Sequence, residues 1–291
     1  MILDKIIPPS YIIKKIRIDL IIVSLFSAGT FFAHELLEKI DIPIQIPAFL
    51  GTSISLVLAF MINQAYDRWW EARKIWGAIV NDSRTFVMQL RHFTSDARVK
   101  SMALRQIAWC YALGNSLRKL PATEGLKAYL STADFDALQD SSNVPLAIAD
   151  QNLADLSQLR RQNLLSDFQH IQVDSTVVRL VASMGKAERI KHTVFPKSYR
   201  VFLHLFIYIF LISLAFSMSD THNFVLMLLT IVISLPFFLL EKTAYHMQDP
   251  FENRPTDISV SAIARTIEIN IRELMGEKPP EPWQPNGFYL L

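Results

Sequence analysis

One stretch of the sequence places residues that could control ion movement on a single face of a helix. They follow one another at spacings of four, four, three and four residues, the pattern of one helical face, and are Thr52, Leu56, Phe60, Asn63 and Asp67. Leu56 and Phe60 could form an apolar constriction of the kind that gates a pore by excluding water. Small residues lie beside them, however, and small residues also let membrane helices pack closely. Both interpretations stay open, and they are compatible if several copies surround an axis.

The sequence contains no constellation of residues typical of an enzyme. It has no glycine-rich phosphate loop and no nucleophile motif, and the His34-Glu35 pair lacks the second histidine of a zinc-protease helix. His204 is the only ionisable residue well inside a predicted membrane span. We therefore expect a protein that is not an enzyme and that needs no cofactor.

The helix that carries this face is predicted to run from Ile46 to Arg84. The 25 residues at 42–66 have no charge, which is enough to cross about 30 Å of hydrocarbon as a helix. Arg68, Trp69 and Trp70 follow at once, as expected where a spanning helix leaves the lipid on the cytoplasmic side. We predict one continuous helix that crosses the membrane and continues into water, with these three residues at the interface.

Three further segments are predicted to span the membrane: 18–37, 201–219 and 223–240. The basic residues of 1–19 are expected to form a leader along the cytosolic interface. Lys and Arg concentrate before the first span, after the second and before the third, whereas the two remaining loops contain one Lys and no Arg. By the positive-inside rule, the sequence predicts a multi-pass protein with both termini in the cytoplasm.

The composition agrees with a membrane protein that has a large water-exposed part. Hydrophobic residues make up 51% of the 291 positions, yet 19% are charged, and the charges concentrate in the middle of the chain. The net charge is only +2 and no nucleic-acid motif is present, so a nucleic-acid partner is not expected. The single cysteine, Cys110, cannot form an internal disulfide, which fits a reducing cytosol.

The region between the second and third spans shows helical periodicity and no alternation typical of a strand. We predict an amphipathic helix at 98–120, a short helix within 131–145, and two longer helices at 146–163 and 166–190. The predicted fold class is therefore an all-α membrane protein with four transmembrane helices and a large helical cytosolic region.

After the fourth span, a polar linker leads to a final amphipathic helix predicted at 258–275, with Thr256 or Asp257 as its N-cap and Gly276 as its C-cap. In chain order, the predicted divisions are a leader with membrane helices 1 and 2 (1–66), a cytosolic helical region (67–194), membrane helices 3 and 4 (195–246), a cytosolic linker with the amphipathic helix (247–275) and a Pro-rich tail (276–291).

Three motifs resemble the bacterial branch of the bestrophin family. They are FMINQAYDRWWEARKIWGAIVNDSR, VFPKSY at the entry to the third predicted span, and QDPFENRPTD after the fourth. The resemblance covers about residues 15–275 in the family's order and spacing. It implies a homopentameric channel of the bacterial inner membrane that passively conducts chloride or other small anions, although some bacterial relatives are reported to favour cations.

The resemblance also assigns roles to individual residues. Counted from the RW motif, the family's hydrophobic neck falls on Thr52, Leu56 and Phe60, where Thr52 departs from the usual apolar residue. Counted back from Pro196, the second, cytosolic constriction falls on Phe168. A lone phenylalanine in an amphipathic helix is also commonly a core residue, so core packing is the alternative for Phe168.

Animal bestrophins bind Ca²⁺ with an acidic run that follows the last of these motifs. This chain has few oxygen ligands there, and Arg254 interrupts them; the weak candidates are Asp249, Glu252, Asn253 and Asp257. Since Ca²⁺ takes about six to eight oxygen ligands, a complete site is not expected. Turn and capping roles are the alternative for these residues.

Two other functions stay open. The same fold could be a cation-selective pore for Na⁺ or K⁺, because selectivity depends on the charges that face the axis, and residues 128–159 contain no Lys or Arg. Alternatively, the protein is a non-conducting membrane sensor or scaffold that binds a partner through its helical insert. Ion flux from proteoliposomes separates the last possibility from the others.

Overall fold

The computed structural model describes residues 7–32, 42–193, 197–218, 223–285 and 287–290. These residues form nine α-helices and no β-strand, which confirms the all-α prediction. The helices are α1 (Pro9–Phe32), α2 (Gln45–Phe93), α3 (Arg98–Leu117), α4 (Thr132–Asp136), α5 (Val144–Arg161), α6 (Asp167–His192), α7 (Lys197–Ser217), α8 (Asn223–Met247) and α9 (Val260–Leu274).

The long helix α2 is continuous over 49 residues, about 74 Å at 1.5 Å per residue. The prediction of one unbroken helix is confirmed, and the helix continues nine residues beyond the predicted end at Arg84. Its only proline, Pro47, lies in the first turn, where the missing amide hydrogen costs no helical hydrogen bond. No later residue of α2 removes a backbone donor, so nothing in the sequence interrupts the helix.

The chain divides into two compact units, and α2 contributes to both. The span unit comprises the described parts of residues 5–68 and 194–248, and the second unit comprises those of 69–193 and 249–291. Each unit has its own cluster of buried apolar side chains. The assignment of the predicted divisions to membrane and cytosol stays a prediction.

Three helices of the described chain are long and apolar enough to cross a membrane: α2, the Ser198–Ser217 part of α7 and the Phe224–Met247 part of α8. Helix α1 is not among them, and residues 33–37 of the predicted first span lie outside the described residues. Helix α1 begins at Pro9, so the second half of the leader predicted at 1–19 is helical and continuous with the predicted first span. Its placement along the cytosolic interface stays a prediction. Helix α1 packs along α8 within the span unit.

Two other predicted boundaries need correction. Helix α8 does not end at Leu240 but continues to Met247, since the first polar residue beyond the apolar segment, Glu241, is fully buried and ion-paired. Helix α9 begins at Val260 with Ser259 as its N-cap. Asp257 instead accepts a hydrogen bond from the backbone N–H of Arg254, at 2.9 Å, and so closes a turn ahead of the helix.

The second unit is built from helices whose positions agree with the predicted ones to within a few residues. Its core surrounds two fully buried tryptophans, Trp76 of α2 and Trp109 of α3. Helix α3 packs against both α5 and α9. The capping box of α6 joins Ser166 to Gln169 and fixes the start of that helix.

Gly114 allows α3 and α9 to approach closely. A Cβ atom at this position would lie 2.7 Å from Cγ1 of Val260, which is itself buried at the start of α9. Gly114 therefore has a packing role, although a glycine inside a helix ordinarily weakens that helix.

We expect the substitution Gly114→Ala to lower the free energy of unfolding of the second unit by about 1–2 kcal/mol, because the added methyl overpacks the core. Chemical denaturation of the detergent-purified protein measures this change. In a chain that also carries Val260→Ala, the added penalty should disappear.

Gly185 in α6 provides the matched control, since nothing lies within 4 Å of its Cβ position. The substitution Gly185→Ala should stabilise the protein by up to about 1 kcal/mol through helix propensity alone. Equal stabilisation by the two alanines would contradict the packing role of Gly114.

Candidate functional site: the exposed face of the long helix

Within the span unit, α2 has a buried face and an exposed face. The buried face consists of residues at helical spacings of four, three and four, which are Ile54, Leu58, Met61 and Ala65. They belong to the apolar cluster of the span unit. Because a helix turns about 100° per residue, the positions on its opposite side point away from this cluster.

The exposed face is the one that the sequence analysis singles out. All five of its members, Thr52, Leu56, Phe60, Asn63 and Asp67, are exposed in the single subunit. Leu56 and Phe60 leave 59% and 58% of their surface uncovered, although both are large and apolar. The subunit's own core does not use this face, so lipid, water or another copy of the chain must cover it.

Asn63 distinguishes this face from an ordinary lipid-facing surface. It is exposed one turn beyond Phe60, and among the described residues its side-chain amide has no hydrogen-bond partner. An amide turned to hydrocarbon would lose its hydrogen bonds to water without replacement, at a cost of several kcal/mol. Water along this face would satisfy it.

The hydroxyl groups of this part of α2 are all satisfied within the helix. Thr52 Oγ1 donates a hydrogen bond to the carbonyl oxygen of Ala48 at 2.8 Å, and Ser53 and Ser55 donate to carbonyls one turn earlier. Thr52 is therefore less polar than its residue type suggests, because its only donor is already in use.

Close helix packing explains one of the small residues beside the exposed face. A Cβ atom added to Gly51 would lie 3.1 Å from the ring of Phe210 on α7. Gly51 thus serves packing inside the subunit, whereas Ser55 and Ala59 are exposed. The packing interpretation therefore applies to Gly51, and the pore interpretation of the exposed face stays a prediction.

The interfacial motif that follows is anchored by hydrogen bonds in each unit. In the span unit, Arg68 Nε donates to the carbonyl oxygen of Gln248 at 2.9 Å. In the second unit, Trp69 Nε1 donates to the carbonyl oxygen of Thr256 at 3.2 Å, and its ring stacks against that of Trp70. The placement of these residues at a membrane interface stays a prediction.

Phe168 is not a core residue. It is the second residue of α6, between the two residues of the capping box, and 87% of its surface is exposed. The side chain is held outward on the first turn of α6 and is available for contacts outside the subunit. This excludes the core alternative for Phe168, while its role as a cytosolic constriction stays a prediction.

The weak calcium candidates do not fit a calcium site well. Asp249 is buried, with Oδ2 2.7 Å from Nζ of Lys191, and Glu252 forms an ion pair with Arg254. Burial raises the pKa of Asp257 to about 6, so that carboxyl binds its proton more tightly than usual. In the described parts of the chain, no group of three or more His, Cys, Asp or Glu residues is arranged to hold a metal ion.

A sequence profile of the family described as Bacterial/Fungal Bestrophin protein matches residues 6–273. The chain belongs to the bestrophin family. It is therefore a membrane protein of a channel-forming family.

Individual relatives cover nearly the whole of this bestrophin. The voltage-dependent anion channel-forming protein YneE of Escherichia coli (strain K12) is 31% identical over 287 residues, which are 96% of this chain and 93% of that protein. The voltage-dependent anion channel-forming protein mll4386 of Mesorhizobium japonicum is 27% identical over 242 residues, 83% of this chain and 78% of that one. The crystal structure of a bacterial bestrophin homolog from Klebsiella pneumoniae aligns with a TM-score of 0.84 at 26% identity, covering 91% of this chain and 100% of that chain.

A buried cluster of charges in the span unit is the feature that the sequence analysis of this bestrophin missed. Glu241 of α8 accepts a hydrogen bond from Nε of Arg200 at 2.8 Å and lies 3.5 Å from Nε2 of His204. Asp19 of α1 lies 3.2 Å from Nζ of Lys242 and 3.8 Å from Nε2 of His204. His204 is thus one member of a network that joins α1, α7 and α8. In the sequence, this network could have been recognised from the opposite charges near the ends of three apolar segments.

We expect Glu241→Ala to destabilise the span unit by about 1–3 kcal/mol, because it leaves the partly exposed Arg200 without its hydrogen-bonded countercharge. The thermal unfolding temperature of the detergent-purified protein should fall well below that of the wild type. Glu281→Ala removes an exposed carboxylate of the tail and should leave the unfolding temperature unchanged. A similar fall for both variants would show that Glu241 matters only through net charge.

Proposed function

We propose that copies of this bestrophin assemble as a pentamer into a channel of the bacterial inner membrane that passively conducts small inorganic anions such as chloride. Permeation involves no chemical step. Both termini and the second unit lie in the cytoplasm, in accordance with the distribution of Lys and Arg around the spans. The relatives named as anion channel-forming proteins support the choice of anions.

The observation that carries this proposal is the composition of the exposed face of α2. Leu56 and Phe60 make it apolar at its centre, and Asn63 follows on the same side with its amide exposed and unsatisfied within the described chain. Lipid would accommodate the first two residues but not the third. A narrow aqueous passage lined by the same helix of each copy accommodates all of them.

In this arrangement, the Leu56 and Phe60 side chains of all copies form rings around a narrow neck. This neck resists the entry of water and ions. A narrow apolar ring holds water poorly, and an ion that enters it must shed part of its hydration shell. Thr52 forms the outer ring, and its hydroxyl adds little polarity because it already donates to Ala48. Phe168 forms a second ring on the cytosolic side.

Conduction through such a passage requires no bound cofactor. We propose that it also requires no Ca²⁺, since Lys191 and Arg254 already neutralise the carboxylates of Asp249 and Glu252. To bind these carboxylates, a calcium ion would have to displace Lys191 and Arg254, which belong to the protein itself.

The double substitution Leu56→Ala, Phe60→Ala is expected to raise chloride efflux from proteoliposomes about tenfold or more, since a barrier lowered by about 1.4 kcal/mol already gives a factor of ten. Leu25→Ala is the matched control, because Leu25 is 69% exposed on α1 rather than on α2. The control should keep the wild-type rate. Chelation of calcium with EGTA should alter none of these rates.

Absence of efflux from both wild-type and double-variant liposomes would contradict the channel and favour a membrane sensor or scaffold. Equal acceleration by Leu25→Ala would place the effect in the bilayer rather than in a neck. A fall in efflux with EGTA would reject the calcium-independent form of the proposal.

Phe168→Ala is expected to raise the single-channel conductance in a planar bilayer, since it widens the second ring without touching the neck. Ile171→Ala on the same helix removes a side chain that is 60% exposed and should leave the conductance unchanged. Identical conductances for Phe168→Ala and the wild type would mean that Phe168 is covered by something other than the permeation path.

A further inference from the structure

Asp67 is the last member of the exposed face of α2 in the span unit. It lies seven residues beyond Phe60, about 10 Å along the helix axis, and on the same side. It is exposed, and in the part of the chain that the structure describes it has no hydrogen bond or ion pair. Its charge is therefore available to whatever occupies the space beside this face.

The other acidic residues described in the span unit differ from Asp67 in their burial and in their pairing with cations. Asp19 and Glu241 are both buried, and each lies within 3.2 Å of a basic nitrogen, from Lys242 and Arg200 respectively. Asp67 alone of these three has neither burial nor a cation. Among the described acidic residues of the span unit, the other two are thus paired with cations, and Asp67 is not.

The cations nearest to Asp67 in sequence do not compensate for it. Arg68 is the next residue, and adjacent residues of a helix do not share a face; its Nε donates to the carbonyl oxygen of Gln248. Farther along α2, Arg73 is exposed but lies six residues beyond Asp67 and therefore on another side of the helix. Lys74 is 2.6 Å from the carboxylate of Glu71, so that pair has no net charge. The uncompensated charge next to the apolar residues of the face is negative.

We propose that Asp67 is a selectivity-determining residue of the channel, which rests on the function proposed above. In the assembled pore, the Asp67 side chains form a ring of carboxylates at the inner end of the neck. The ring attracts cations and repels anions as they enter or leave the apolar passage. The current of the wild type is then carried by Na⁺ as well as by Cl⁻, and the charge at residue 67 sets the ratio.

The magnitude of this effect follows from Coulomb's law. Two unit charges about 6 Å apart in water interact by roughly RT, and several copies of Asp67 act on one ion at once. The Debye length is about 8 Å at physiological salt. The ring therefore acts more strongly on an ion in the narrow passage than do charges farther along the helix.

The test is the reversal potential in asymmetric NaCl across a planar bilayer that contains the purified channel. Asp67→Asn should lower the ratio of Na⁺ to Cl⁻ permeability about fivefold, as expected for the loss of several charges at this distance. Asp67→Glu should retain the wild-type ratio. Asp150→Asn removes an exposed carboxylate of α5 and should retain it as well.

Salt dependence separates an electrostatic role from a structural one. At about 1 M salt the Debye length shrinks to about 3 Å, so the difference between the wild type and Asp67→Asn should become smaller. A substitution that acts by distorting the neck would shift the reversal potential at both salt concentrations alike.

An unchanged permeability ratio for Asp67→Asn, or a ratio for Asp67→Glu that matches Asp67→Asn, would overturn the assignment of Asp67. So would an equal shift in Asp150→Asn. If one of these results is found but the channel still conducts and the double substitution Leu56→Ala, Phe60→Ala still raises efflux, then the role of Asp67 is rejected and the proposed channel function stands. If the wild type carries no current at all, both proposals fall together.

Discussion

A helix with a fixed turn of about 100° per residue cannot turn all its side chains toward its own subunit. Helix α2 buries Ile54, Leu58 and two further residues in the span unit, and this commits the opposite side to the outside. Among the described residues, no second layer covers that side. The candidate pore face thus results from the same packing that holds the subunit together.

Polar side chains of the span unit are found in three different kinds of surroundings. Hydroxyl groups such as that of Thr52 donate to a carbonyl one turn earlier and leave no donor unsatisfied. Buried carboxylates such as Glu241 lie against basic side chains from a neighbouring part of the fold. Asn63 and Asp67, both on the exposed face of α2, are satisfied in neither of these ways among the described residues. Both lie on the face for which a function is proposed.

Local patterns in the sequence were sufficient for the helices and for the candidate face. The absence of charge from 42–66 and the spacing of Thr52, Leu56 and Phe60 depend on neighbouring residues only, so they could be interpreted without a structure. The extension of α8 to Met247 could not, because the partner of Glu241 lies 41 residues earlier in the chain. Exposure of Phe168 also escapes a sequence argument, since an amphipathic pattern does not show which apolar residue remains uncovered.

The ion pair between Asp19 and Lys242 has a consequence for how the chain is made. Its two members are separated by more than two hundred residues, so the first helix is synthesised long before its positive partner leaves the ribosome. During that interval Asp19 has no countercharge from α8, and a carboxylate near hydrocarbon is costly. Helix α1 can therefore complete its packing and its ion pair with α8 only late in translation.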